Sequence, residues 1–577
     1  MGKKNDILQF FLNLGILVVV GVIAQLLFTK IDLTEEKRHT LTDATIDMLA
    51  ELDDQVYVKC YLHGEFPAKF KRLEQAIQER LDEFVDYSDG SVSYDFIDPY
   101  EIDDARTKSE VETALIEQGL QFTVLPYEDN GAIGYDKIWP CAIITYRNQD
   151  IPVNLYKSQD PNPSEQMVNG SVNNLEYELA SKLRTLLSQD RPTIAVLEGH
   201  GELDDMEMSD FLQSLADQQY LIERVEIDGQ LTALSDKFEK MKYRTNKYDL
   251  LIVAKPDSMI DNKDKILIDQ YLMNGGKILW MIDPVLTDLD SLRNKQQTYG
   301  VSNEMGLYDM LFDYGVRLNR GIVLDYQCAP IAFDAGPKGN QRNYELFDWY
   351  YAPVILPGDT VHPIAANLDP IFMEFASSLE FVGEDTSVRK TPLLVSSPLS
   401  KLIKTPVRVN TAVVNFGIDY FRNGNQPQQV MGALLEGRFN SNFTYRIPDT
   451  LKTDTIFSFR ETSRPTKMIV IADGDIGRQN IIEGSDGRFP IPLGFDRYTQ
   501  RVLYDNREFL LNAVNYLLDD QALISMRSRN IVLRELNEER ILEERTKWQV
   551  LNVAIPLLAV IIFGFLQGAM RKRKFAA

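Results

Sequence analysis

Two stretches of this chain, residues 7–29 and 548–570, contain no charged side chain, and each is 23 residues long. At about 1.5 Å of rise per residue, a helix of that length crosses a hydrocarbon core of about 30 Å. Both are rich in Leu, Ile and Val, as in Gly15-Ile16-Leu17-Val18-Val19-Val20 and Leu557-Leu558-Ala559-Val560-Ile561-Ile562. Cations border each on its outer side: Lys3 and Lys4 before the first, Arg571-Lys572-Arg573-Lys574 after the second. Positive flanks stay in the cytoplasm. The pattern therefore predicts two transmembrane helices, both termini cytoplasmic, and residues 30–547 across the membrane. A cleaved signal peptide fits the first stretch poorly, because the apolar run is long and no small-x-small site follows it. A buried core helix fits the second poorly, because such helices seldom lack charge for this length and then end in four cations. Pro556 and the polar Asn13, Gln25, Asn552 and Gln567 fall inside these stretches. Lipid tolerates such residues best against a neighbouring helix, so they are candidate contacts with a membrane partner.

Charge and cysteine agree with that topology. The chain carries −24; its two tails, 1–6 and 571–577, carry +5 together, which leaves −29 for the rest. So acidic a body argues against nucleic acid as a partner, since phosphate contacts need clustered Lys and Arg. The three cysteines, Cys60, Cys141 and Cys328, form no Cys-x-x-Cys pair, and an odd number cannot all pair within the chain. Cys60 and Cys141 sit in strand-like runs and read as small buried apolar residues.

The body divides into α/β segments. A charged leading segment, Asp32-Leu33-Thr34-Glu35-Glu36-Lys37-Arg38-His39, precedes a strand at 56–62 and a helix at 68–87 with Phe70, Leu73, Ile77, Leu81 and Phe84 on one face. A strand at 92–97, a helix at 105–118, strands at 122–125 and 142–146 and a helix at 171–187 follow. That order, βαβαββα, is the order of a thioredoxin-like layer. His63-Gly64-Glu65-Phe66-Pro67 stands where the redox Cys-x-x-Cys would be, so the fold is expected without its chemistry. Beyond Arg191-Pro192, apolar strands at 193–197, 248–254 and 277–282 alternate with helices at 206–218 and 261–274, as in a doubly wound α/β domain. Composition then turns Pro-, Gly- and aromatic-rich at about 325–391 and 417–464, which read as irregular or β-hairpin insertions. The α/β pattern returns at 392–397 and 467–473 and closes with a helix at 507–518. The expected division is 1–30 for the first tail and span, 31–190 and 191–522 for two α/β domains, 523–547 for a charged helix and 548–577 for the second span and basic tail.

These residues resemble the GldG family of gliding bacteria, the gliding-motility-associated ABC transporter substrate-binding (auxiliary) proteins. The resemblance runs nearly end to end. It is carried by Asp32-Leu33-Thr34-Glu35-Glu36-Lys37-Arg38 with Thr40-Leu41-Thr42, by Glu198-Gly199-His200-Gly201-Glu202, by Asn512-Ala513-Val514-Asn515-Tyr516-Leu517 and by the two terminal spans. It implies a bacterial inner-membrane protein whose bulk is periplasmic, working beside a polytopic permease and a cytoplasmic ATPase, with other envelope proteins as a further class of partner. It also implies that the doubly wound domain is similar to class I glutamine amidotransferase-like domains. No residue pattern identifies a bound substrate or a cofactor.

An amidotransferase-like enzyme needs a Cys on a strained Gly-x-Cys-x-Gly elbow, activated by His. Here Lys255-Pro256-Asp257-Ser258 follows the strand at 250–254, and Cys328 is flanked by Gln327 and Ala329. The chain also lacks a Gly-x-x-x-x-Gly-Lys-Ser/Thr loop, so nucleotide hydrolysis belongs to another chain. The reading is a non-catalytic, membrane-anchored accessory subunit. The alternative is a membrane-tethered hydrolase or metal-dependent enzyme built on two loops at strand ends, Glu198, His200 and Glu202 in the first and Asp473 and Asp475 in the second. Against that alternative, two glycines flanking His200 also make a tight turn with the imidazole bonded locally. Asp473-Gly474-Asp475 likewise reads as a turn.

Overall fold

The computed structural model describes residues 40–518 and 538–575, apart from 65, 102–104, 130–131, 157–164, 188–190, 288, 293–296, 339–340, 358–361, 367, 384–385, 423–426 and 485–486; of the first apolar stretch only residues 12, 15, 16 and 19 are described. Alternation at the start of the body gives strand β1 (Val56–Cys60), with Val56, Val58 and Cys60 buried and Tyr57 and Lys59 partly exposed. β1 pairs in parallel with β2 (Val92–Phe96) and antiparallel with β3 (Cys141–Tyr146), which pairs antiparallel with β4 (Gln149–Asn154). The sheet order is thus β2-β1-β3-β4. Helix α1 (Ala68–Tyr87) lays Phe70, Leu73, Ile77, Leu81 and Phe84 on one face of this sheet, and α2 (Glu165–Leu187) adds Leu175, Leu179 and Leu183 to the same core. The pattern at 3.6-residue spacing is what commits both segments to helix. Cys60 lies in that core, whereas Cys141 lies in a separate one with Leu115, Leu120 and Trp139; both thiols are fully buried.

One expected strand goes elsewhere. Thr123–Asp129 pairs with Ala132–Ile138 in its own hairpin, and the edge of the sheet is taken by β4. β4 begins polar and contains Pro152, a pattern confined to edge strands because Pro cannot donate to a ladder. Arg147 and Asn148, both at positive φ, make the two-residue turn that joins β3 to β4.

The larger sheet begins with β5 (Thr193–Glu198), β6 (Leu221–Glu226), β7 (Leu250–Ala254) and β8 (Lys277–Met281). A long hairpin follows, β9 (Cys328–Lys338) and β10 (Gln341–Ile355), and the chain re-enters the sheet through β11 (Val430–Gly437) and β12 (Thr466–Ile471). The order β6-β5-β7-β8-β12 is parallel throughout; β11 then adds antiparallel to β12, and shorter strands continue the sheet beyond it. β7 is buried at every position, as a parallel strand covered on both faces must be. Helices α3 (Ser209–Asp217) and α5 (Asn506–Leu518) cover one face of the sheet, and α4 (Asn262–Met273) covers the other. α4 starts at Asp261, whose carboxylate accepts from the Lys263 and Asp264 amides, and stops before Gly275-Gly276. The fold is therefore mixed α/β. Composition assigns β11 to an irregular insertion, but the structure places it, with Met431 to Leu435 buried, in the middle of the sheet. Gly432 and Gly437 interrupt its apolar run, and Gly432 is packed against Leu394.

The last helix of the body ties its parts together. Asn512 donates to the Ile364 carbonyl (3.1 Å). Asn515 accepts from the Tyr220 hydroxyl (2.7 Å) and donates to the Tyr177 hydroxyl on α2 (3.1 Å). Tyr516 donates to Glu436 on β11 (2.7 Å). The Asn512–Leu517 motif is thus a seam between the first α/β layer and the larger sheet. Separately, α6 (Glu538–Phe575) contains the apolar stretch Lys547–Met570, long and apolar enough to cross a membrane, with Pro556 inside it. It is the one such helix among the described residues. The first stretch lies almost entirely outside them.

Replacing Asn515 by Ala removes two side-chain hydrogen bonds at the seam. The expected cost is about 1–2 kcal/mol, read as a lower denaturant midpoint with unchanged slope. An unchanged midpoint would show that the seam does not need Asn515.

Candidate functional site

In a doubly wound sheet the parallel strands end at one edge, and the loops leaving that edge converge. Here the loops after β5, β7, β8 and β12 all carry charge at that edge, and they form two groups rather than one.

The first group is the loop after β5. Gly199 and Gly201 hold positive φ, which favours glycine, and a Cβ on Gly201 would also displace the Asp257 carboxylate, 1.8 Å away. The His200 carbonyl accepts from the Asp257 and Ser258 amides (3.1 and 3.0 Å), which locks this loop to the loop after β7. The His200 ring is buried. Its Nδ1 faces Glu202 Oε1 at 3.2 Å and its Nε2 faces Asp264 Oδ2 at 3.1 Å, while Asp264 also accepts from the Gly229 amide. Hydrogen bonding to Glu202 raises the His200 pKa above its ordinary value; burial opposes the rise and Asp264 adds to it. Both ring nitrogens therefore face carboxylate acceptors, leaving no lone pair directed at a ligand. Glu198 is exposed, at the last position of β5 opposite Glu226.

The second group joins the loops after β7, β8 and β12. Lys255 adopts positive φ (56°), a strained conformation for a residue with a side chain. Its ammonium lies 3.1 Å from Asp283 and 2.5 Å from Asp475. Asp283, Asp473 and Asp475 bring carboxylate oxygens within 4.8 Å of one another, close enough to share a metal ion, but the lysine already supplies a cation there. Asp283 accepts from the Gly474 amide, and Asp473 accepts from the Asp475 and Glu374 amides (2.7 and 3.0 Å). A Cβ on Gly474 would fall 2.7 Å from the Lys255 side chain, so the loop passes as close as a glycine allows. Burial pushes Asp283 up to about 6 even with Lys255 beside it, and burial also raises Asp473 well above the usual carboxylate range, with Asp283 and Asp475 adding repulsion. Burial also works against the charge on Lys255, yet Asp283 and Asp475 hold its pKa above the usual lysine value.

Asp475 opens onto a cleft of about 1100 Å³. The cleft lies between these loops and the β9–β10 hairpin, and aromatic rings from Trp349, Phe372, Phe375 and Tyr504 line it. Glu374 stands at its edge, half-buried. Burial and then repulsion from Asp475 push its carboxyl up to about 7, although Arg497, Lys255 and Arg478 pull the other way. Phe375, the next residue, also holds positive φ (51°).

The structure thus separates the candidate residues. His200 and Glu202 form a closed clamp with Asp264, Asp473 is a buried member of the second group, and Asp475 faces the cleft. Asn552, Pro556 and Gln567 are exposed on α6, and Asn13 and Gln25 lie outside the described residues. Sequence reasoning missed Lys255, Asp283 and Glu374. For two of them a signal was present: Lys255-Pro256 and Asp283-Pro284 each end a parallel strand, where doubly wound sheets place their ligands. Glu374 lies in an irregular segment and had no such marker. The thiols, Cys60 and Cys141 buried and Cys328 partly so, are poor nucleophiles: desolvation pushes Cys60 and Cys328 up to about 12 and raises Cys141 as well.

Residues 191–513, more than half of the chain, match the model of a family described as an ABC-type uncharacterized transport system. Residues 35–145 match a domain of unknown function. An uncharacterized protein of Borreliella burgdorferi is 22% identical over 583 residues, covering 99% of each chain. The N-terminal domain of mmIFT52 aligns with 56% of this chain and 96% of its own at 12% identity, with a TM-score of 0.28, too low to establish a shared fold.

The His200 clamp gives a pH-dependent stability. A raised histidine pKa stabilises fully below the unfolded value and is lost as pH rises through the folded one. His200→Gln should therefore destabilise by about 2 kcal/mol near pH 6 and by much less at pH 9, measured by denaturant melts at both values. Glu374 has the opposite sign: a carboxyl raised from 4.5 to about 7 destabilises the fold as pH climbs between those values. Glu374→Gln should raise stability at pH 8, by at most about 3 kcal/mol and less for its partial exposure, and change little at pH 4. An equal effect at both pH values would contradict the assignment.

Proposed function

We propose that this chain, which belongs to an ABC transporter auxiliary protein family described as an ABC-type uncharacterized transport system, is a non-catalytic, membrane-anchored accessory subunit of the GldG type, linked to gliding motility. In this reading it acts on the extracytoplasmic side with a permease and an ATPase. The family match over 191–513 carries the proposal.

Other features support it. The apolar stretch Lys547–Met570 ends in a cluster of cations and supplies an anchor. With residues 7–29 as the second anchor, both termini are cytoplasmic and the body is periplasmic. The sheet order β2-β1-β3-β4, with β3 antiparallel to its neighbours, favours a thioredoxin-like domain over 31–190. The parallel run β6-β5-β7-β8-β12, covered by helices on both faces, favours an amidotransferase-like domain over 191–522. The raised thiol pKa values and the lysine inside the carboxylate group weigh against the hydrolase and metal-dependent readings.

Two spans form too thin a bundle to enclose a transport path. The chain therefore needs a permease, and the polar positions Asn13, Gln25, Asn552 and Gln567, with Pro556, are the proposed contacts. Pull-down of the full chain from its native membrane in mild detergent should recover a polytopic permease and a nucleotide-hydrolysing subunit, identified by mass. Recovery of the chain alone would sink the proposal.

A further inference from the structure

The amino edge of the larger sheet, opposite the charged loops, carries a surface of a different kind. Two segments meet there, 237–247 before β7 and 445–464 before β12. Both are tied to the end of α4. Asn246 donates to the Tyr271 carbonyl (3.0 Å), the Arg460 amide to the Gln270 side chain (2.7 Å) and the Arg464 amide to the Met273 carbonyl (3.1 Å). Buried Arg244 joins the segments to each other by donating to the Ile456 carbonyl (3.1 Å). Phe457 and Phe459 are buried with stacked rings, and Asp454 spends its carboxylate on the Ile456 and Phe457 amides (2.6 and 2.8 Å).

On this fixed backbone the outward side chains are apolar and cationic. Phe238 and Met241 are each 53% exposed, Ile456 65% and Tyr445 96%. Met241, Ile456 and Lys452 line one cavity of about 970 Å³. The Lys452 ammonium lies 6.0 Å from the centre of the Tyr445 ring, and the Met241 amide bonds to the Phe238 carbonyl (3.0 Å), so the four apolar residues surround one opening. Exposed apolar side chains need no explanation singly, but a cluster of them does. In a chain of −24, residues 237–247 hold five cations against Glu239 alone. With Asp236, Glu239, Asp449, Asp454 and Glu461 all counted, segments 236–247 and 449–464 still carry eight cations against five carboxylates. Lys237 bonds to the Met241 and Lys242 carbonyls and keeps its charge, Lys247 pairs with Asp236, and Lys452 reaches Glu461. Lys240 and Lys242 are exposed and enter no ion pair among the described residues.

Aromatic and aliphatic side chains among lysines suit one environment, the interface of an anionic bilayer. There the apolar groups sit at headgroup depth and the ammonium groups meet lipid phosphates. The position of the patch agrees. α5 ends on this edge, where the Lys467 ammonium at the start of β12 donates to the Tyr516 carbonyl (3.3 Å), and from α5 the chain runs on to the apolar stretch Lys547–Met570. We propose that this patch docks on the anionic phospholipid surface of the bilayer that the chain's own anchor enters. A tethered contact is intramolecular, so a patch too weak to bind lipid from solution is sufficient. The inference rests on the membrane anchor of the proposed function and on none of its partners.

The test is amide hydrogen exchange on the full chain inserted in nanodiscs of mixed phosphatidylglycerol and phosphatidylcholine, and in nanodiscs of phosphatidylcholine alone. Peptides covering 237–243 and 450–457 should exchange at least about tenfold more slowly in the anionic discs, and high salt should remove the difference. Lys240→Glu with Lys242→Glu should abolish it, and Phe238→Ser with Met241→Ser should reduce it. All four side chains are exposed, and unchanged exchange in β7 and β8 reports that each variant is folded. The comparison of the two discs on the unaltered chain decides whether or not a variant folds. Equal exchange in the two discs would overturn the docking and leave a protein as the occupant. Protection that survives charge reversal in a folded variant would overturn it too. A chain that enters neither disc loses the anchor and the docking together, whereas one that enters both and shows equal exchange loses the docking alone.

Discussion

The arrangement of the larger sheet's carboxyl edge depends on one cation. Lys255 places its ammonium against Asp283 and Asp475, with Asp473 directly beneath, and these four residues come from the loops after three neighbouring strands. Buried carboxylates in such proximity repel one another and lose hydration, and an isolated one in a low-dielectric interior costs several kcal/mol. The lysine offsets part of that cost, and backbone amides offset more: Gly474 donates to Asp283, and Asp475 and Glu374 donate to Asp473. The lysine reaches its place only through a left-handed backbone conformation, stored strain of about 1–3 kcal/mol that the surrounding contacts must over-determine. Through Asp473 the same network fixes the backbone of Glu374, and so positions the rim of the cleft.

The His200 clamp solves a related problem by different means. It needs no lysine, because the imidazole, once protonated, is itself the cation between Glu202 and Asp264. Its carbonyl then bonds to the loop that begins at Lys255, two residues upstream of Asp257. The two charged groups at this edge are therefore mechanically joined although their side chains do not share a site. Gly201 suits that junction because its backbone holds positive φ, a conformation that side chains disfavour.

Much of the scaffold was legible in the sequence, and the site was not, for a physical reason. Strands β5, β7, β8 and β12 are continuous apolar runs because both faces are buried, and α1 shows its apolar stripe at every turn. β11 escaped because close packing against Leu394 puts a glycine inside the strand, and β4 escaped because an edge position admits Pro152. Sites at strand ends are assembled from single residues far apart in the chain. His200 and Asp473 announced themselves through flanking glycines, which mark tight backbone. Glu374 lies in an irregular segment whose neighbours carry no periodicity, and only the fold brings it to the Asp473 loop.

Separating what is stapled from what is free gives the edge its chemical meaning. Asp473 and Asp283 spend their oxygens on backbone amides and on Lys255, so mutations there act on stability before they act on binding. Asp475 is shared between the staple and the cleft. Its charge is divided between Lys255 and Arg478, and Arg478 continues to Glu207 at 2.9 Å. The rim of the cleft is tied to the loops that Lys255 holds together, because the Glu374 amide and the Asp475 amide bond to the two oxygens of one carboxylate, that of Asp473.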